Sequence, residues 1–359
     1  MSTSTTADES VLVCRDGRAG RITLNRPRAI NALTHEMVDR IDRALTEWEQ
    51  DDAVSAVVIT GAGERGLCAG GDIRAIHEDA KRGGRASYDF WRAEYLLNAR
   101  IARYPKPYVA IMDGITMGGG VGISAHGSER IVTEHSMVAM PETGIGFVPD
   151  VGGTYLLGRA PGELGVHLAL TGDSIGAADA LLCGLADHFV PSAKLPDLLA
   201  SLAELEVADA VRRHAAPAPE GELAAHREWI DACYTADTVE EILDRLLAQG
   251  DTAAKAAATR IAAVSPTAVK VTLRAVRRAR ELGSLERVLD QEYRVSCAMF
   301  SCPDFVEGVR AQVIDKDRTP HWDPAGLAEV TDEDVERFFA PLSDGEPLFG
   351  PRFGHSLGR

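Results

Sequence analysis

No CxxC pair occurs among the six cysteines (Cys14, Cys68, Cys183, Cys233, Cys297, Cys302), and none has a neighbouring histidine. Neither a zinc site nor a disulfide framework is indicated, and the thiols read as reduced and cytosolic. Basic residues are few against acidic ones, 38 to 54, for a formal net charge of −16. General nucleic-acid binding and attraction to an anionic membrane surface are therefore not expected, and a phosphate-bearing ligand would have to be held by local Arg, Lys or N–H groups. No stretch has the uninterrupted apolar length of a membrane span, and the lead MSTSTTADES has no basic region followed by an apolar run. The expectation is a soluble, cytoplasmic protein. A Gly-x-Ser-x-Gly elbow is also missing, which argues against a serine hydrolase with a histidine partner.

What is present suffices for one large core and a smaller second one: 359 residues, 45% hydrophobic. Residues 1–10 read as a flexible lead. Two short strands follow (Val11 to Cys14 and Arg21 to Asn25), then a helix from Thr34 to Glu49 with Thr34 as N-cap and Met37, Ile41, Leu45 and Trp48 at helical spacing. Ala53 to Thr60 reads as a buried strand, Tyr88 to Tyr104 as a helix, and Pro107 to Met112 as a strand running into a helix over Gly119 to Gly127. Shorter elements continue to Val190. The core is placed at residues 11–214, a Pro- and Ala-rich linker at 215–221, a helical region at 222–319, and a tail at 320–359 that wraps the surface or is partly disordered.

Two glycine-rich stretches carry chemical information. Gly61, Gly63 and Gly66 spell GxGxxG after a strand. The dinucleotide reading needs a helix directly behind that motif, and here a helix is expected only near Asp72. Gly71 instead suits a backbone N–H brought close to a ligand; a plain surface turn is the bland alternative. Gly118, Gly119 and Gly120 lie where a strand gives way to a helix start, a place that favours negative charge such as a reacting carbonyl's oxyanion. Glu142 and Asp150 follow in Pro and Gly turns where packing does not call for acid. N-cap or turn acids are the structural alternative there. His126, His135 and His188 have no visible partner and read as packed or turn residues, and Glu94 reads by composition alone as helix surface.

LNRPRAINAL (Leu24 to Leu33), LCAGGDI (Leu67 to Ile73), KPYVAIMDGITMGGGVG (Lys106 to Gly122) and MPETGIGFVPDVGG (Met140 to Gly153) resemble the crotonase, or enoyl-CoA hydratase/isomerase, superfamily. The PET and PDVGG segments, Ala93-Glu94-Tyr95, and EGVRAQVIDKDRTPHW (Glu307 to Trp322) are similar to its 3-hydroxyisobutyryl-CoA hydrolase branch. The resemblance implies an α/β spiral of repeated β-β-α units with a helical C-terminal region. It implies a CoA thioester substrate, no separate cofactor or metal, and an oxyanion hole made by the N–H groups of Gly71 and Gly119. Glu94 would contact substrate, and Arg28, Leu67 and Ala69 would lie near CoA. The family's tendency to trimers implies a homo-oligomer.

Hydratases of the family carry a glutamate shortly after the triple glycine, where this chain has Gly122; only the Glu142 equivalent of their acid pair remains, and Asp150 replaces a common glycine. Thioester hydrolysis is therefore expected. Glu142 would attack the carbonyl, giving a mixed anhydride, or deprotonate a water. Asp150 would orient the 3-hydroxyl or the water and help protonate the departing thiolate. The alternatives are an enoyl-CoA hydratase or isomerase, and a non-catalytic acyl-CoA-binding or assembly protein.

Overall fold

A computed structural model describes residues 9–342 and 347–349. Most of the expected N-terminal lead, and much of the end of the expected tail, lie outside the described residues. The chain divides into two compact units that are not consecutive in sequence. One comprises Met1–Asp72, Leu97–Ala139 and Ser174–Ala224; the other comprises Ile73–Leu96, Met140–Asp173 and Ala225–Arg359.

The first unit holds strands β1 (Val11–Asp16), β2 (Ala19–Leu24), β3 (Ala56–Gly61), β4 (Tyr108–Met112), β5 (Ile115–Met117), β6 (Glu129–Val132), β7 (Met137–Ala139) and β8 (His188–Phe189). β1 and β2 form an antiparallel hairpin with Val11 opposite Leu24, and β3, β4, β6 and β8 continue the sheet in parallel. β5 and β7 pair in a separate parallel sheet, Ile115 opposite Met137. Successive turns of chain thus add one strand to the large sheet and one to the small sheet, which is a spiral.

The β-branched run of β3 alternates its faces. Ala56 and Val58 join Val109, Ile111, Ile131 and Val190 in a buried cluster capped by Leu198, Leu202, Val207, Ala210 and Val211. Those last residues belong to helices Leu195–Glu204 and Val207–His214, which cover a sheet face and were not anticipated. Helix His35–Glu49 lies against β1 and β2; Thr34 caps it by accepting the Met37 N–H, and Met37, Ile41, Leu45 and Trp48 are all buried. The helix expected over Gly119 to Gly127 is helical only over Gly119–Gly122. Beyond it the Ser124 hydroxyl bonds the Gly120 carbonyl, an alternative to backbone pairing that ends regular structure early. β5 escaped the sequence reading because three residues between glycine turns have no periodicity to detect.

The second unit is helical. Helix Pro266–Leu282, capped by Ser265, is buried along Val269, Leu273 and Val276 and packs on helices Gly153–Gly158 and Leu164–Thr171. Helix Leu285–Phe300 starts at Ser284, whose hydroxyl accepts the Arg287 N–H.

Candidate active site

In the first unit, two glycine loops are knitted together. Leu33 bridges Gly71 in parallel fashion, giving its N–H to the Gly70 carbonyl and taking the Asp72 N–H. In such a bridge the flanking residues make the bonds, so the N–H and C=O of Gly71 itself point away from Leu33. Met117 donates to the Cys68 carbonyl, Cys68 to Ile115, and Gly118 to Ala139, which brings the strand entering the triple glycine alongside the Gly70–Gly71 loop. The approach is close: Gly70 has φ +104°, and a Cβ there would lie 3.3 Å from the Met117 oxygen and 3.6 Å from the Gly119 nitrogen. Gly119 is the first residue of its helix, so its N–H has no intrahelical acceptor.

In the second unit, four carboxyl groups are buried together. Glu142 opens a 3-10 turn, Glu142–Ile145, with its side chain buried and its Oε2 without a partner among the described residues. That turn nests on helix Pro303–Val309. A Cβ at Gly308 would stand 2.4 Å from the Ile145 carbonyl carbon, which explains the glycine within Glu307 to Val309. Asp150 is buried, and its Oδ2 accepts the Tyr95 hydroxyl at 2.6 Å; the Tyr95 oxygen also bonds Ser296 Oγ at 2.8 Å. After Asp150 the backbone turns left-handed at Val151 (φ +53°) and Gly152 (φ +78°). Glu292 then takes the N–H groups of Gly152 and Thr154 and the Thr154 hydroxyl. Glu94 is only 2% exposed, with Oε1 unpartnered among the described residues.

Burial sets the electrostatics, with mutual repulsion second. It pushes Glu94 well above the usual carboxylate range, and the charges of Asp150 and Glu142 push it further. Glu142 is raised in the same way by burial and then by Asp150. Burial lifts Asp150 to about 7, held back by the Tyr95 hydroxyl donated to it. It lifts Glu292 to about 8, opposed by the Thr154 and Gly152 donors. Neighbouring carboxyls in so dry a site cannot all ionise, so the cluster keeps protons near neutral pH. Acid and base forms therefore coexist, as general acid–base chemistry requires.

Of the residues singled out in the sequence, Glu94, Glu142 and Asp150 are brought together in the second unit, while Gly71 and Gly119 come together in the first. Composition placed Glu94 on a helix surface. It is instead buried, because Phe90, Trp91, Tyr95 and Leu97 on the same helix are buried too and the helix exposes little of this stretch. Arg28 is exposed in the turn Pro27–Ala29. Ala69 is exposed and gives its N–H to Ile30, whereas the Leu67 side chain is buried and its carbonyl accepts from Asn31. Glu292, Thr154 and Ser296 were missed. The Leu285–Phe300 helix has a plain amphipathic pattern, and nothing local distinguishes a buried Glu from a surface one. His135 and His188 pair with Asp113 and Glu129 at the surface, as turn and strand-end residues do.

The chain belongs to the enoyl-CoA hydratase/isomerase family, whose model matches residues 19–339. Curated relatives include the mitochondrial 3-hydroxyisobutyryl-CoA hydrolases of Xenopus tropicalis, 43% identical over 96% of this chain and 92% of the relative, and of Rattus norvegicus, 45% identical over the same shares. Among solved structures, a carnitinyl-CoA dehydratase from Mycobacterium thermoresistibile superposes with a TM-score of 0.93 at 54% identity, covering 96% of this chain and 100% of that one. An enoyl-CoA hydratase from Rhodobacter sphaeroides superposes with a TM-score of 0.88 at 45% identity, covering 94% and 98%. The crotonase-like α/β architecture is as expected. The cytoplasmic placement is overturned, since the curated relatives are mitochondrial. The absence of a secretory signal does not discriminate between compartments inside the cell.

Proposed function

We propose that this chain hydrolyses 3-hydroxyisobutyryl-CoA, or a similar 3-hydroxyacyl-CoA, to the free hydroxy acid and CoA. The observation that carries the reading is the buried Glu142–Asp150 pair: one carboxyl with an unpartnered oxygen, the other held by Tyr95 and titrating near neutrality. The chain is an enzyme, in keeping with relatives that carry a hydrolase name over nearly its whole length.

The N–H groups of Gly71 and Gly119 are assigned to the thioester oxygen, where preorganised donors stabilise the charge that develops as the carbonyl is attacked. Glu142 attacks that carbonyl carbon or takes a proton from the attacking water. The C–S bond then breaks, and Asp150, with a proton affinity matched to neutral pH, protonates the thiolate of CoA. Where Glu142 is the nucleophile, a water then hydrolyses the mixed anhydride, releasing the hydroxy acid and the free Glu142 carboxyl. Burial, then the charge of Asp150, raise the proton affinity of Glu142, and Glu142 serves as base or nucleophile in its ionised form. Glu94 is assigned to the substrate's 3-hydroxyl end. Arg28 and the exposed Ala69 backbone are assigned to CoA, with Leu67 contributing only through its main chain. CoA enters as part of the substrate and no separate cofactor is invoked. Self-association and a place in valine breakdown complete the reading.

A second reading, hydration or dehydration at the C2–C3 bond, is favoured by the names of the two solved relatives. One experiment separates them. Purified protein is offered 3-hydroxyisobutyryl-CoA, 3-hydroxypropionyl-CoA and crotonyl-CoA, following free thiol and enoyl thioester absorbance. Thiol from the hydroxyacyl esters supports hydrolysis; a changing enoyl signal without thiol moves the assignment to the second reading.

A further inference from the structure

Glu292 has no part in the chemistry assigned above, yet it is 1% exposed and both its oxygens are engaged. Oε2 accepts the Gly152 N–H at 2.6 Å; Oε1 accepts the Thr154 N–H at 2.9 Å and the Thr154 hydroxyl at 2.5 Å. These donors sit two and four residues after Asp150, beyond the left-handed pair Val151 and Gly152. A β-branched residue at positive φ is strained and persists only where its surroundings hold it. One turn along the same helix, Ser296 bonds the Tyr95 hydroxyl, and Tyr95 donates to Asp150. Positions 292 and 296 lie on one helix face. They reach Asp150 from two sides, through the backbone behind it and through the hydroxyl on its carboxyl group.

We infer that Glu292 is a positioning residue: it clamps the Asp150–Thr154 turn so that the Asp150 carboxyl keeps one orientation, with Ser296 acting on the same carboxyl through Tyr95. The choice of side chain supports this. Packing alone would be served better by an apolar side chain, because a buried carboxyl costs more than it contributes unless it is fully bonded. Each of the two carboxyl oxygens accepts one backbone N–H here; the isosteric amide has a single acceptor oxygen and must turn its own NH2 toward the other donor. The inference rests on the hydrolase reading.

The test uses the full chain with substitutions Glu292→Gln, Thr154→Val and Thr154→Ser, assayed by thiol release from 3-hydroxyisobutyryl-CoA. A misplaced catalytic group costs turnover far more than binding, so kcat should fall about tenfold to a hundredfold in Glu292→Gln and Thr154→Val while KM moves less than about threefold. Thr154→Ser restores the hydroxyl and should return kcat to within about twofold of wild type. Wild-type kcat in folded Glu292→Gln and Thr154→Val would overturn the inference, as would a Thr154→Val loss that Ser does not rescue. If Glu292→Gln does not fold, the Val and Ser pair decides. If the wild type releases no thiol, the hydrolase reading fails and this inference with it; wild-type turnover alongside unaffected variants removes the inference alone.

Discussion

Replacing Asp150 by Asn should destroy turnover and stabilise the fold, and the gain should depend on pH. A carboxyl that binds its proton more tightly in the folded protein than in the unfolded chain contributes stability below its unfolded pKa. It loses that contribution as pH rises through the folded pKa. Asp150 moves from an ordinary 3.8 to about 7. At about 1.36 kcal/mol per tenfold change in proton affinity, the wild type gives up roughly 4 kcal/mol from this group between about pH 4 and pH 7. Asn stays neutral throughout and still offers an oxygen to the Tyr95 hydroxyl. Relaxation around the charged carboxylate lowers the figure, so Asp150→Asn should be about 2–4 kcal/mol more stable than wild type above about pH 8, with the gap closing near about pH 4. The assay is guanidinium unfolding at several pH values, followed by far-UV circular dichroism and compared through midpoints at matched slope. An offset independent of pH, or a loss of stability at alkaline pH, would refute the idea that the folded site holds Asp150 against its charge.

Further outcomes follow from the same geometry. Glu142→Gln should fold normally and lose turnover by about two orders of magnitude or more, measured by thiol release; a wild-type rate would remove Glu142 from the chemistry. Because burial and Asp150 raise Glu142, the acid limb of the pH–kcat/KM profile should fall well above the usual carboxylate range, and a limb near about pH 4 would contradict that. Gly308→Ala should cost about 1–3 kcal/mol of stability, read as a lowered unfolding midpoint, because the new methyl meets the Ile145 backbone under the acid turn. Burial pushes Cys183 and Cys297 up to about 12 and Cys302 to about 11, so native protein should react slowly at these thiols and first at the exposed Cys14, as mapped by mass spectrometry after brief labelling.

Local periodicity made much of the fold legible. Thr34 and the Met37, Ile41, Leu45, Trp48 spacing predict helix His35–Glu49 almost to the residue. Elements too short to show a period, such as Ile115–Met117, were not legible, and neither was the early end of the helix at Gly122, which a serine side-chain bond decides. Helices Leu195–Glu204 and Val207–His214 do have apolar spacing, but which surface they cover is a property of the assembled sheet.

For the site, the sequence by itself determined the unusual acids in glycine and proline turns, the two glycine loops with N–H groups to offer, and the Gly122 that departs from a two-glutamate hydratase. Those are matters of residue type and turn chemistry, which are local. Only the tertiary structure decided that Glu94 is buried among the acids, that Tyr95 finds Asp150 from 55 residues away, and that Glu292 grips the Asp150 turn from 140 residues beyond it. A carboxyl's proton affinity depends on the water and charge around it. That environment is made by chain segments far apart in sequence, so it exists only once they are folded together.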